Sequence, residues 1–110
     1  MSTKVIHVAN DFYPRPSGRY KRDGDYTGQV FREELLMPNL DKIKFYGGHD
    51  VLIVDFSNVT MAGSSFLEEA FGGLVRTGKY SKDFLRKALI IKSDRRPVIV
   101  ERIQRYISEA

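Results

Sequence analysis

The sequence contains no cysteine, and its four prolines and nine glycines are spread along the chain instead of being collected in a linker. The absence of cysteine excludes disulfides, thiolate nucleophiles and cysteine-based metal sites, so the fold must depend on packing. The first residues show no basic segment followed by an apolar run, and no window approaches the length that spans a bilayer. We therefore expect a cytoplasmic protein.

Motifs for catalysis and cofactor binding are also missing. The sequence has no Gly-x-Ser-x-Gly, no Gly-x-Gly-x-x-Gly and no Gly-Lys-Ser/Thr segment. His7 and His49 have no second ligand at metal spacing beside them. We expect no metal, no cofactor and no enzymatic activity, because a hydrolase would require the fold to bring His7 or His49 to Ser64 or Ser65.

The size of the chain and the distribution of its charge limit the alternatives. The 110 residues, of which 42% are hydrophobic, are enough for one core, and we expect a single domain over residues 1–110. Residues 1–75 carry 8 Lys and Arg against 10 Asp and Glu, whereas residues 76–110 carry 10 against 4. Such a basic segment can meet nucleic acid, an anionic membrane surface or an acidic protein, and it can equally form solvated helix faces.

Strand-like and helix-like segments alternate along the chain. Apolar, β-branched runs predict strands at residues 4–9, 51–56 and 88–91, and the run 51–56 is typical of a strand covered on both faces by helices. The segment 17–28, rich in Gly, Arg and Asp, predicts an irregular hairpin or an extended loop with room for a short strand at 19–22. We expect an α/β fold with a small mixed, partly parallel sheet of about four strands and helices packed on it.

Helix signals fill the intervals between these strands. Thr27 is the predicted N-cap of a helix through residues 29–37, which Pro38 should terminate or bend. Residues 81–87 predict a short helix, and Pro97 marks the start of the last one. The helix that follows the second strand carries one apolar stripe, formed by Leu67, Ala70, Phe71, Leu74 and Val75.

That helix opens on two serines. Ser65 and Glu68 have the capping-box spacing, in which the serine accepts a bond from a free backbone N–H. The alternative is a phosphorylation site, since a phosphate at a helix start meets free N–H groups and adds roughly two negative charges to the surrounding surface. Gly72 and Gly73 indicate close packing of the helix on the sheet, an early helix end or the approach of a partner backbone.

The segment 51–75 resembles the signature of the STAS fold, the domain of bacterial anti-sigma factor antagonists, in which a buried strand leads through a serine-containing loop to a helix. Arg19, the segment Gly28-x-x-Phe-Arg-x-x-Leu35 and the segment Ser64-Ser-Phe-Leu-x-Glu-Ala-Phe-Gly72 more specifically resemble the uncharacterised family described as STAS-like. The resemblance implies a regulatory domain that binds a partner protein. In STAS antagonists this partner is typically an anti-sigma kinase of the histidine-kinase ATPase type, which phosphorylates a serine in that loop.

On this resemblance, Ser65 aligns with the usual phosphate acceptor and Ser64 is its neighbour. We expect Asp55, Arg32 and Arg19 to order the neighbouring loops. The predicted partner-binding surface consists of Asn58, Thr60, Met61, Gly63, Ser64, Ser65, Phe66 and Glu69.

Two further interpretations stay open at this point. The segment 15–22 mixes cations with Tyr20, and the last helix carries several arginines, so the protein could instead be a small basic nucleic-acid-binding protein. Asp55, at the end of a buried strand, could correspond to the phosphoacceptor of a receiver domain, although a loop cap or a salt bridge fits the residues better.

Overall fold

The computed structural model describes residues 3–47 and 50–110, so His49 lies outside the described residues. The described residues form one parallel sheet in the order β1-β2-β3, made of β1 (Thr3–His7), β2 (Val51–Asp55) and β3 (Leu89–Lys92). The register aligns Val5 with Ile53 and Ile90, and aligns His7 with Asp55 and Lys92.

In the part of the chain that the structure describes, four longer helices follow the strands. Helix α1 (28–46) and helix α2 (64–76) are continuous, and each contains one π-helical turn, at Arg32–Leu36 and Glu68–Gly72. The two others are α3 (Lys82–Ala88) and α4 (Pro97–Glu109). Two short helical turns, Val8–Phe12 and Lys21–Asp23, lie in the first half of the chain. No helix in the described ranges is long and apolar enough to cross a membrane.

The predicted helix starts are largely as expected. Thr27 caps α1 by accepting from the Val30 N–H, and Ser81 caps α3 by accepting from the Phe84 N–H. Pro97 opens α4, where its missing N–H costs no intrahelical bond.

Helix α1 does not end at Pro38, as one reading of the sequence had it, but continues to Tyr46. In the π-helical turn before the proline, the Met37 N–H donates to the Arg32 carbonyl five residues earlier. This wider turn gives room to the proline ring, and the Asn39 side chain donates to the Leu35 carbonyl at 2.7 Å.

All four helices pack on one face of the sheet. Adjacent parallel strands in the order 1-2-3 place right-handed crossovers on the same side. The core consequently contains Ile6, Leu52, Val54 and Leu89 from one face of the sheet, together with the inner sides of the helices.

The prediction that residues 51–56 are covered on both faces is therefore wrong. Val51 and Ile53 of β2 and Val5 of β1 point to the other face and are only half-buried, and Ile90 of β3 is 45% exposed. A single layer of helices is enough to bury one face, and the apolar residues of the other face remain partly accessible.

The α/β class with helices packed on a small sheet is confirmed; in the described residues the sheet has three strands instead of about four, and it is parallel throughout instead of mixed. Segment 19–22 joins no strand; it leads into the turn Lys21–Asp23, where the Asp23 carboxylate accepts from the Tyr20 N–H. The carbonyls of Gly18 and Arg19 accept from the Gly28 and Gln29 N–H groups, so this segment covers the beginning of α1.

Candidate functional site

The loop between β2 and α2, residues 56–63, is fixed near both of its ends. Asp55 accepts from the Ser57 N–H at 2.8 Å where the strand ends, and Asn58 adopts a left-handed backbone with φ 67°. The Thr60 N–H donates to the Pro14 carbonyl at 2.9 Å, which ties the loop to the segment that follows β1. The loop therefore has a defined backbone: Phe56 and Val59 are buried in the core, while Ser57, Asn58, Thr60 and Met61 are exposed.

Helix α2 begins at Ser64, two residues earlier than a capping box with Ser65 as N-cap requires. Gly63 is the N-cap, with φ −66° and ψ 151°, and its carbonyl accepts from the Leu67 N–H. The predicted capping box between Ser65 and Glu68 is wrong, because Ser65 already lies in the first helical turn and the Glu68 carboxylate binds arginines instead. Both serine side chains are exposed.

Three arginines and two glutamates meet beside this helix start, and we call them the arginine–glutamate cluster: Arg19, Arg32, Arg76, Glu68 and Glu69. Glu68 lies between two cations, 2.5 Å from Arg19 Nη1 and 2.6 Å from Arg76 Nη1. Glu69 lies 2.7 Å from Arg32 Nη1 and 3.2 Å from Arg76 Nη2. The cluster joins α2 to α1 and to the segment around Arg19, which is distant in sequence.

The electrostatics of the cluster follow from these contacts. The hydrogen bond from the Arg76 guanidinium lowers the pKa of the Glu68 carboxyl, and the bond from Arg19 lowers it further. Burial acts in the opposite direction, but the pKa stays below its ordinary value. The hydrogen bond to Glu68 in turn raises the pKa of Arg19. Each shift favours the charged form, so the ion pairs are present throughout the neutral range.

Arg32 is the buried member of the cluster. Its Nη1 donates both to the Glu69 carboxylate and to the Glu69 backbone carbonyl, and Arg32 and Glu69 are only 8% and 7% exposed. A Cβ on Gly73 would lie 2.2 Å from that Nη1 atom, so the glycine provides the space that the guanidinium occupies. Gly28 of α1 similarly leaves space for the backbone of α2, since a Cβ on Gly28 would lie 2.5 Å from the Phe66 carbonyl oxygen.

These contacts explain the glycine pair of α2. Gly73 packs against Arg32 of α1, and a Cβ on Gly72 would meet the Glu68 carboxylate and the Arg76 guanidinium. Close packing of the helix on the sheet was one of the reasons expected for this glycine pair. The helix is closely packed there, but against side chains of the arginine–glutamate cluster and not against the sheet.

The predicted partner-binding residues divide into an outer and an inner group. Asn58, Thr60, Ser64 and Ser65 are exposed, and Met61 is 49% exposed. Gly63 is half-buried. Phe66 is completely buried, with its ring 5.5 Å from that of Phe31, and Glu69 is buried against Arg32. The structure therefore removes the Phe66 and Glu69 side chains from the predicted contact surface and places them beneath it.

His7 lies at the end of β1 and not at the serines. Its Nδ1 is 3.6 Å from Asp55 Oδ2, and its backbone N–H donates to the Asp11 carboxylate at 2.7 Å. Burial opposes the ionisation of Asp55, but hydrogen bonds from Ser57 and the nearby Lys92 and His7 lower its pKa overall. Among the described residues, no group of His, Asp and Glu has the arrangement of a metal site.

Sequence reasoning missed Arg76 and Glu68 as members of the site. The partners of Glu68 are 49 and 8 residues away, and neither spacing is a helical neighbour distance. The signal that could have pointed to them is the glycine pair, since two glycines inside an apolar helix indicate that something large lies against it.

The family comparison matches residues 27–98 to the STAS-like domain of unknown function (DUF4325). The match covers more than half of the chain and includes α1, β2, α2 and β3. No curated protein and no solved structure shows significant similarity to the chain.

Proposed function

The chain belongs to the family of STAS-like domains of unknown function, and from this premise we propose that it is a non-enzymatic regulatory module that binds a partner protein through the loop 56–63 and the start of α2. The partner class is an ATPase of the anti-sigma or histidine-kinase type, as in the antagonists that the sequence resembles. The proposal assumes the cytoplasm as the compartment, and phosphorylation of Ser65, then Ser64, as the switch.

The observation that carries this proposal is the exposure of the two serines on a rigid support. Ser64 and Ser65 lie in the first turn of α2, next to a loop whose backbone is bonded to Pro14 and Asp55. Met61, 49% exposed in that loop, supplies an adaptable apolar contact. A preformed surface of this kind binds without a large ordering cost.

The cluster supplies a physical basis for the switch. Ser65 precedes Glu68 and Glu69 by three and four residues, so all three lie on one side of the helix. A phosphate on Ser65 would repel the two carboxylates and compete with Glu68 for Arg19. In the proposed mechanism it lowers partner affinity by adding charge to the contact surface and by loosening the segment that Arg19 holds.

The same contacts support loop-ordering roles for the three residues predicted to have them. Asp55 accepts a hydrogen bond from the Ser57 N–H at the start of the loop. Arg32 connects α1 to α2 through Glu69, and Arg19 connects its own segment to Glu68. We therefore assign these residues to positioning of the surface and not to direct contact with the partner.

Binding of a purified partner to phosphorylation mimics tests the proposal. We expect Ser65→Glu to lower the affinity by roughly tenfold or more, while Ser65→Ala stays within about twofold of the unmodified protein. The exposed Arg15, outside the cluster, gives a matched surface control in Arg15→Gln. Equal dissociation constants for the alanine and glutamate variants would contradict the switch.

A second candidate function has one specific observation in its favour. Among the described residues, seven cations of the C-terminal third have no carboxylate within 4.0 Å: Lys82, Lys87, Lys92, Arg95, Arg96, Arg102 and Arg105. Such cations are available to bind nucleic-acid phosphates. The cations of segment 15–22 contribute less, because Arg19 and Lys21 pair with glutamates. A steep loss of DNA or RNA affinity with salt would favour this function over the first.

A further inference from the structure

One edge of the sheet is open at β3. The Phe56 N–H donates to the Lys92 carbonyl, so Lys92, and by the two-residue period Ile90, bond towards β2. The backbone groups of Leu89 and Ile91 consequently face the opposite way. The Leu89 N–H donates to the Leu85 carbonyl of α3, whereas in the described part of the chain no strand pairs with this edge at Ile91.

An apolar groove of about 480 Å³ runs along that edge, between α3 and α4. Its lining is mainly aliphatic and comes from Leu85, Leu89, Ile90, Ile91, Val100, Ile103 and Ile107, with Arg86, Gln104 and Ser108 at its polar positions. Unpaired N–H and C=O groups beside apolar pockets are the features that bind an added strand, because the backbone supplies the bonds and the pockets take alternate side chains.

The charge around the groove decides the kind of occupant. Arg86 is the charged residue of its lining and pairs, at an exposed position, with Asp83 at 2.7 Å; residues 76–110 as a whole carry 10 Lys and Arg against 4 Asp and Glu. Two copies of the chain paired through β3 would bring these basic surfaces together, which is unfavourable. An acidic segment of a partner protein would instead be attracted by the basic surface around the groove.

We propose that the free edge of β3 and the groove between α3 and α4 bind an extended, acidic segment of a partner protein by strand addition. Its apolar side chains alternate into the groove, its backbone pairs with Ile91, and its Asp and Glu residues face Arg86. The groove contains none of the residues of the loop 56–63 or of the start of α2, so this inference stands independently of the phosphorylation switch.

Selection from a displayed library of random peptides on the immobilised protein tests this inference. We expect enrichment of peptides with alternating apolar residues flanked by Asp or Glu. Amide exchange then identifies the pairing, because a bound peptide should slow exchange at the Ile91 N–H, while Ile90 and Lys92 are already bonded to β2.

Matched charge reversals on α3 complete the test. Arg86 lines the groove and its neighbour Lys87 lines a different depression, so Arg86→Glu should weaken an enriched peptide by roughly tenfold and Lys87→Glu by much less. Four results would overturn the inference: no enrichment, enrichment of basic or helical peptides, unchanged exchange at Ile91, or equal effects of the two reversals.

Discussion

Arg32 Nη1 lies 2.7 Å from Glu69 Oε2 and 2.5 Å from the Glu69 backbone oxygen, and both residues are almost completely buried. Each belongs to a π-helical turn, one in α1 and one in α2. The pair thus joins two helices at the places where their backbone bonding is irregular, a feature that often accompanies functional sites.

Removing Arg32 leaves the buried Glu69 with only its longer contacts to Arg76 and Arg19, and removing Glu69 leaves Arg32 with only Glu33 at 3.9 Å. We expect Arg32→Met and Glu69→Leu each to lower the free energy of unfolding by about 3 kcal/mol, the lower end for a broken buried pair. The double variant should lose at least about 1 kcal/mol less than the sum of the two. Urea unfolding of the four proteins measures this coupling.

The exposed pair Arg86 and Asp83 on α3 is the control for that cycle. Their side chains are 67% and 80% exposed, so their coupling should be below about 1 kcal/mol. A coupling between Arg32 and Glu69 no larger than this value would contradict the structural role given to the buried pair.

Gly73 should be intolerant of alanine although alanine favours helices. The added Cβ would lie 2.2 Å from Arg32 Nη1 and 2.9 Å from its Cζ, so a buried side chain would have to move. We expect a loss of about 1–3 kcal/mol in the free energy of unfolding. Gly63→Ala is the control for added volume, since no atom lies within 4 Å of its Cβ position, and it should lose only the N-cap preference for glycine, about 1 kcal/mol or less. A Gly73→Ala protein as stable as the Gly63→Ala protein would show that the space is not needed.

Glu68 should make stability depend on acid pH. Its pKa is lowered in the folded protein by Arg76 and Arg19, so its contribution is fully present above the ordinary value of 4.5 and is lost as the pH falls through the folded value. We expect the stability difference between the unmodified protein and Glu68→Gln to be constant near neutrality and to shrink below pH 4.5. Arg76→Met should reduce this pH dependence, and a difference that does not change with pH would argue against the ion pairs.

Arg19 should restrain the segment that precedes α1. With Arg19→Gln the bonds to Glu68 and Glu69 disappear, so residues 17–27 should open more often. We expect trypsin to cut after Lys21 and Arg22 at least severalfold faster. Arg15→Gln, a change of the same kind at an exposed position, should leave the cleavage rate close to that of the unmodified protein, and equal rates for the two variants would remove Arg19 from its positioning role.

Much of the fold could be predicted because it depends on local signals. The caps at Thr27 and Ser81, the apolar stripe of α2 and the proline at the start of α4 each act within one or two turns. The continuation of α1 past Pro38 could not be predicted, since it depends on a π-helical turn that tertiary packing stabilises.

The site was predictable only in its exposed part. The serines and the loop 56–63 follow directly from the pattern of strand, loop and helix, but the contacts of Glu68 and Glu69 join segments that are distant in sequence. The open face of the sheet was missed for a related reason: a short run of apolar residues looks the same whether one face or both are covered.

The most direct test of the proposed function is affinity purification of the tagged protein from native extract, with and without nuclease treatment, followed by mass spectrometry of bound proteins and of Ser64 and Ser65. Unmodified protein, Ser65→Ala and Ser65→Glu are compared in parallel. The account predicts that one ATPase of the histidine-kinase type is recovered with the first two and is reduced by roughly tenfold or more with Ser65→Glu. Equal recovery with all three proteins, or recovery of only nuclease-sensitive partners, would contradict it.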